Sequence, residues 1–158
     1  MQKITPFWWF DTQAEEAAKF YVSIFKNAKI NGTTYYSEEG PGPKGSVMTV
    51  GFELDGQKFI ALNGGPMFKF NESVSFVVNC ETQQEIDHYW EKLSSAGGQE
   101  VECGWVKDKY GLSWQVVPAV FWEWTEAGDA AAMTRVMHAL MQMKKLDVAT
   151  LQRAHDGK

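Results

Sequence analysis

Residues 46–65 read SVMTVGFELDGQKFIALNGG, two runs of alternating side chains on either side of Asp55-Gly56. An Asp-Gly pair tolerates the positive φ of a two-residue type I′ turn, so the segment predicts a β-hairpin. With a tight turn, Leu54 faces Gln57, Glu53 faces Lys58, Phe52 faces Phe59 and Val50 faces Ala61. Opposed residues share a side of the sheet. Met48, Val50, Phe52, Phe59, Ala61 and Asn63 therefore line one side, and Thr49, Gly51, Glu53, Lys58, Ile60 and Leu62 the other. The Glu53–Lys58 match supports this register, because a slip of one residue separates the charges and turns every side chain over. Both sides are largely apolar and both need cover: helices on one, a ligand cavity on the other.

Upstream, Ile4–Phe10 is strand-like, with Pro6 suited to an edge. Thr12-Gln-Ala-Glu15 has the form of a capping box. The stripe Ala14, Ala17, Ala18, Tyr21, Ile24 and Phe25 then predicts a helix with one buried face, ending near Asn27. Residues 28–37 read as a strand bulged at Gly32. The loop EEGPGPKG over 38–45 is either a mobile connector or a lid.

Downstream the order repeats. Ser73–Cys80 is strand-like, Thr82-Gln-Gln-Glu85 is a second capping box, and Ile86, Tyr89, Trp90, Leu93 and Ala96 form a second helical stripe closed by Gly97-Gly98. Glu102–Lys107 and Leu112–Val117 pair around Asp108–Gly111. Asp11-Thr-Gln-Ala-Glu15 and Glu81-Thr-Gln-Gln-Glu85 are near copies offset by 70 residues, the mark of a duplication. The fold class predicted is α+β, two βαβββ units over 1–65 and 66–118, followed by a helical arm over 119–158. Met133, Met137, Met141 and Met143 suit that arm for an adaptable contact, either on its own domain or across a homodimer.

The chain has 158 residues, 44% hydrophobic and 22% charged, ordinary for a folded domain. A net charge of −5 without a Lys/Arg cluster argues against nucleic acid and anionic membrane surfaces as partners. No window approaches a membrane span, the apolar run in MQKITPFWWF is short for a signal peptide, and Cys80 and Cys103 form no CxxC. The expectation is a cytoplasmic protein with reduced thiols.

The stretches ITPFWWFDTQAEEAAKFYVSIF, FIALNGGPMFKFNESVSFVVNC, KDKYGLSWQVVP and MHALMQMKKLDVATL resemble the PhnB-like branch of the vicinal oxygen chelate superfamily. That superfamily holds glyoxalase I, extradiol dioxygenases and bleomycin-resistance proteins, and the branch is often labelled 3-demethylubiquinone 3-methyltransferase. The resemblance implies a curved sheet in each half, a pocket inside the curve and a dimer. It also implies corners where the superfamily's enzymes hold a divalent metal with His, Gln or Glu. The offset sets Thr5 against Ser75, and matching FIAL to SWQV sets Ala61 against Gln115. Of these only Gln115 could ligate, and the neighbours Phe7, Leu62, Asn63, Phe76 and Trp114 are no better. His88, His138 and His155 fall on helical segments. No metal and no cofactor are expected.

What remains is a pocket of aromatic and neutral polar groups: Phe7, Trp9, Phe52, Phe59, Asn63, Ser75, Trp105, Trp114 and Gln115. Asn63 and Gln115 stand out, since an amide on an apolar strand face must find a hydrogen-bond partner, and a ligand or trapped water would supply one. The reading is a metal-free protein that binds a small, planar aromatic or apolar ligand as a homodimer. The alternative is an enzyme of the same fold: a methyltransferase, or a lyase or isomerase acting on a small carbonyl or aromatic compound. Its acid or base would have to come from Glu53, Glu102 or Asp108, the carboxylates near strands.

Overall fold

The computed structural model describes residues 2–158. It is an α+β structure with two four-stranded sheets. The first βαβββ unit comprises β1 (Phe7–Phe10), α1 (Ala14–Ile24), β2 (Lys29–Tyr35), β3 (Val47–Leu54) and β4 (Gln57–Asn63). The second comprises β5 (Ser75–Cys80), α2 (Gln83–Ser94), β6 (Gln99–Glu100), β7 (Trp105–Lys107) and β8 (Ser113–Pro118). Strand order is β1-β4-β3-β2 in one sheet and β5-β8-β7-β6 in the other, so the duplication extends to topology. The arm folds as α3 (Val120–Ala127), α4 (Ala130–Leu140) and α5 (Val148–Asp156). Among the described residues no helix is long and apolar enough to cross a membrane.

The β3–β4 hairpin has the expected register, Leu54↔Gln57 through Val50↔Ala61. Asp55 and Gly56 adopt φ of 45° and 82°, the left-handed pair a type I′ turn demands. β1 joins β4 in parallel at the sheet edge, where Pro6 lacks a donor but its carbonyl accepts from Ile60 N–H at 3.0 Å. The ladder between β2 and β3 shifts register between Ile30 and Gly32, the bulge the glycine signals.

Helix α1 covers one side of the first sheet. Ala14, Ala17, Ala18, Tyr21 and Ile24 are buried, and Tyr21 meets Trp8 edge-on at 5.3 Å and stacks with Phe52 at 6.2 Å. Trp8 and Phe59 stand 4.6 Å apart, which closes an aromatic core between helix and sheet. Helix α2 covers the second sheet in the same manner with Ile86, Tyr89, Trp90 and Leu93.

Contacts divide the chain at Phe70/Asn71 rather than at 65/66. Two edge-on aromatic pairs, Trp9–Phe68 and Phe10–Phe70, tie residues 66–70 to the first unit. The helical arm belongs to the second unit, where Trp124, Val136, Leu140, Leu146 and Leu151 form a hydrophobic core of their own. Its connection α4–α5 is fastened backbone to backbone, with Cys103 N–H donating to Met143 O at 2.7 Å and Gly104 N–H to Lys144 O at 2.8 Å. Gln83, in the first turn of α2, adds a clamp: its Nε2 donates to Leu146 O, and its Oε1 accepts from Val148 N–H.

Candidate functional site

Nine residues were the sequence candidates, and the structure distributes them over three environments. Phe52, Phe59 and Trp114 lie on the helix-covered sides of their sheets. Phe52 and Phe59 fill the aromatic core beneath α1 with exposures of 0% and 5%. Trp114 is equally buried, tilted against Phe76 at 5.7 Å, and donates Nε1–H to Asp108 Oδ2 at 2.8 Å. These three aromatics hold the fold. Strand parity places them there, since Phe52 and Phe59 share the side of Ala61.

Asn63 occupies the second environment, a cavity of about 470 Å³ in the first unit. Asp11, Thr12 and Glu15 wall it on one side, Tyr36 and Pro41–Pro43 on another, and Asn63–Gly65 close it. The partners sought for the Asn63 amide belong to the chain itself. Its Oδ1 accepts from Ala14 N–H at 2.8 Å, capping α1, and its Nδ2 donates to Val47 O at 3.0 Å. The Asn63 carbonyl in turn accepts from the Tyr36 hydroxyl at 2.5 Å. Thr12 was expected to cap this helix; residue 13 takes the cap position instead and uses no side-chain bond. Tyr36, with the loop around it, is the part of this cavity the sequence did not disclose. An added Cβ on Gly40 would stand 2.7 Å from the Tyr36 ring and one on Gly42 2.4 Å, so the alternation of glycine with proline in EEGPGPKG reads in retrospect as a slot for a ring.

The third environment is the side of each sheet turned away from its helix. In the first unit it carries Phe7, 55% exposed, and Trp9. Trp9 is held at the end of β4 by its Nε1–H bond to Gly65 O at 2.8 Å. In the second unit the open side brings together Ser75, Trp105 and Gln115. Trp105 is registered against Gln115, and Gln115 Nε2 donates to Ser75 Oγ at 2.9 Å across β5 and β8. The side-chain oxygen of Gln115 and the Ser75 hydroxyl proton stay available to a third group. One position further along the same side, Lys107 is registered with Ser113 and ion-paired with Glu72. That hydrogen bond holds the Glu72 carboxyl below the usual carboxylate range.

Sheet register also revises the match between halves. Val77 pairs with Gln115 and Phe7, its counterpart at the 70-residue offset, pairs with Ile60. Ile60, not the buried Ala61, therefore corresponds to Gln115, and an aliphatic side chain stands at that corner. In the second unit the corner is the neutral Gln115–Ser75 pair, already engaged with each other. Among the described residues no three His, Cys, Asp or Glu side chains converge as a metal site would require. This donor set does not fit a divalent ion. The three histidines lie on α2, α4 and α5. Cys80 is buried, and burial pushes its thiol up to about 12, which makes it inert as a nucleophile. Asp108 is buried too, but its oxygens accept from Tyr110 N–H, Leu112 N–H and the Trp114 indole, the role of a turn anchor.

The geometry has known relatives. The family model for 3-demethylubiquinone-9 3-methyltransferase matches residues 2–117. The PhnB protein of Bacillus cereus is 38% identical, with a TM-score of 0.68, over 75% of this chain and 100% of its own. A Pseudomonas aeruginosa protein at 18% identity covers 73% of this chain and 96% of its own with a TM-score of 0.59. An Arabidopsis thaliana gene product, also 18% identical, covers 74% and 98% with a TM-score of 0.52. The last two share the fold. No curated protein matches the chain. With a model spanning both βαβββ units and a solved relative of this identity, the chain belongs to the 3-demethylubiquinone-9 3-methyltransferase family, the PhnB-like branch of the vicinal oxygen chelate superfamily.

Proposed function

We propose that this protein binds a small, flat organic molecule on the open side of its second sheet, without a divalent metal. The observation that carries this reading is the Gln115–Ser75 pair beside Trp105. An indole face offers stacking, and one amide oxygen with one hydroxyl offers a donor and an acceptor to orient a planar heterocycle or carbonyl compound. The cavity of the first unit is less suited to this task, because both polar ends of Asn63 are spent on Ala14 and Val47. Phe7, Val77, Trp122 and Met141 keep much of their apolar surface in solvent, which favours a homodimer that covers some of it. Equilibrium dialysis against a panel of flat aromatic acids, amides and heterocycles tests the binding claim. A saturable binder whose affinity falls about tenfold in Gln115→Ala is the expected result, from loss of one or two oriented hydrogen bonds. A panel without a saturable binder overturns it. Sedimentation of a single species at the monomer mass would remove the dimer.

The family description favours one other reading, methyl transfer. The two strand-to-helix turns, residues 11–13 and 81–82, contain no glycine of the sort that lets a backbone approach a nucleotide. Calorimetric titration with S-adenosylmethionine decides between them: saturable heat establishes a methyl-donor site, and a flat titration leaves the binding role.

A further inference from the structure

The proposed site has a charge built into it that the binding role alone does not use. Trp105 and Lys107 flank the buried Val106 on β7, so both side chains fall on the open side of the sheet. Trp105 is registered with Gln115 and Lys107 with Ser113, which in turn is registered with Ser75. Positions two apart on a strand are separated by about 6.7 Å. That spacing lets a ring stacked on Trp105 carry a substituent that ends at the Lys107 ammonium.

The Lys107 side chain keeps only 28% of its surface in solvent, whereas the Glu72 side chain that neutralises it keeps 62%. Lys107 is thus set into the sheet, while Glu72 reaches it from the segment before β5. An ion pair with one partner so exposed is weak and exchangeable, worth a factor of about five or less in an equilibrium. A ligand carboxylate already held by Trp105 and Gln115 would reach the ammonium without the loss of freedom that a separate anion incurs.

We infer that Glu72 is a stand-in for the ligand's own anionic group, and that the site selects planar aromatic carboxylates over their neutral analogues by exchanging Glu72 for the ligand on Lys107. This inference rests on the binding role assigned to Trp105, Gln115 and Ser75. Lys107 is in this view the residue that determines specificity, and Glu72 the competitor that sets its threshold.

The test uses the isosteric pair 2-naphthoate and 2-naphthamide in equilibrium dialysis against the full chain, Lys107→Gln and Glu72→Gln. The expected result is a preference for the carboxylate of about fivefold or more, lost in Lys107→Gln and enlarged in Glu72→Gln, with the preference shrinking as salt is raised. Circular dichroism confirms that both variants are folded, which two surface-reaching side chains permit. If both compounds bind equally, or if Lys107→Gln retains the preference, the exchange is wrong while the binding role stands. If neither compound binds, the exchange falls, and the dialysis panel of flat acids, amides and heterocycles decides whether the binding role falls with it.

Discussion

Thr12 and Thr82 stand at the same place in two nearly identical pentapeptides, yet they do different work. Thr82 Oγ1 accepts from Glu85 N–H at 3.2 Å, and Glu85 reaches back to Glu81 N–H at 2.9 Å, one residue before the cap, so the second helix start is tied locally in both directions. The first helix is capped from 49 residues away by Asn63, which no local pattern could announce. Thr82→Ala should therefore destabilise by about 1 kcal/mol, and Thr12→Ala by less than about 0.5 kcal/mol. Asn63→Ala should lower stability by about 2 kcal/mol, since it strips both a helix cap and the bond to Val47. Urea midpoints of the three variants check this, and equal losses at Thr12 and Thr82 would show that the two caps are equivalent after all. Asp108 supports a larger effect. Replacing it with Ala leaves two backbone N–H groups and an indole N–H facing a 3%-exposed site, and about 3 kcal/mol or more should go.

Among the elements, the hairpin was the most readable, because alternation and an Asp-Gly turn specify register without help from the rest of the chain. The opposed charges of Glu53 and Lys58 agree with that register. What alternation cannot do is say which side of a strand receives the helix when both sides are apolar. Phe52 and Phe59 could be assigned to a ligand only by ignoring that α1 needs aromatic partners, and Ala61 was matched to Gln115 through a parity that the β1–β4 pairing reverses. Trp105, Ser75 and Gln115 meet because β5, β7 and β8 are neighbours, a consequence of topology that the duplication made foreseeable. The loop over 38–45 was the least readable element. Its backbone closes on itself, with Gly45 N–H donating to Tyr36 O and Tyr36 N–H to Ser46 O, each at 2.9 Å, so it is a fastened wrap around a buried ring. Gly42→Ala would force a methyl within 2.4 Å of that ring, and a loss of about 2 kcal/mol is expected with faster proteolysis between 38 and 45. Unchanged cleavage in this variant would mean that the ring and loop are not in contact in solution.

For the molecule as a whole, the response to pH concentrates in the second unit. The carboxyls of Glu72, Asp87, Asp129, Asp147 and Asp156 are each held below their ordinary range. Lys107 and Lys145 hydrogen bonds lead the causes for Glu72 and Asp87, the Ala132 N–H cap for Asp129, the Thr150 cap for Asp147 and Gln152 for Asp156. Stability from such groups is present above their unfolded values, 4.5 for Glu72 and 3.8 for the aspartates, and is lost as pH falls through the lower folded values. Acid should thus loosen α2, α4 and α5 early, visible as lower amide protection factors there at pH 3 than at pH 5, each rate being taken relative to the intrinsic exchange rate at the same pH. Cys80 sets the alkaline edge with the opposite sign. Its folded value near 12 lies above 9.0 for the free thiol, so the native state keeps a proton that the unfolded chain gives up. Below pH 9 the group has no effect on the balance; between 9 and 12 unfolding is favoured by about 1.4 kcal/mol per unit. Other side chains titrate in that range, so the informative quantity is the difference between the protein and Cys80→Ala. The variant starts lower at pH 7 because a buried group is trimmed, and its urea midpoint should then fall less steeply from pH 9 to pH 11. Parallel slopes would mean that water reaches the thiol between β5 and α2, and that the second core is looser than its packing suggests.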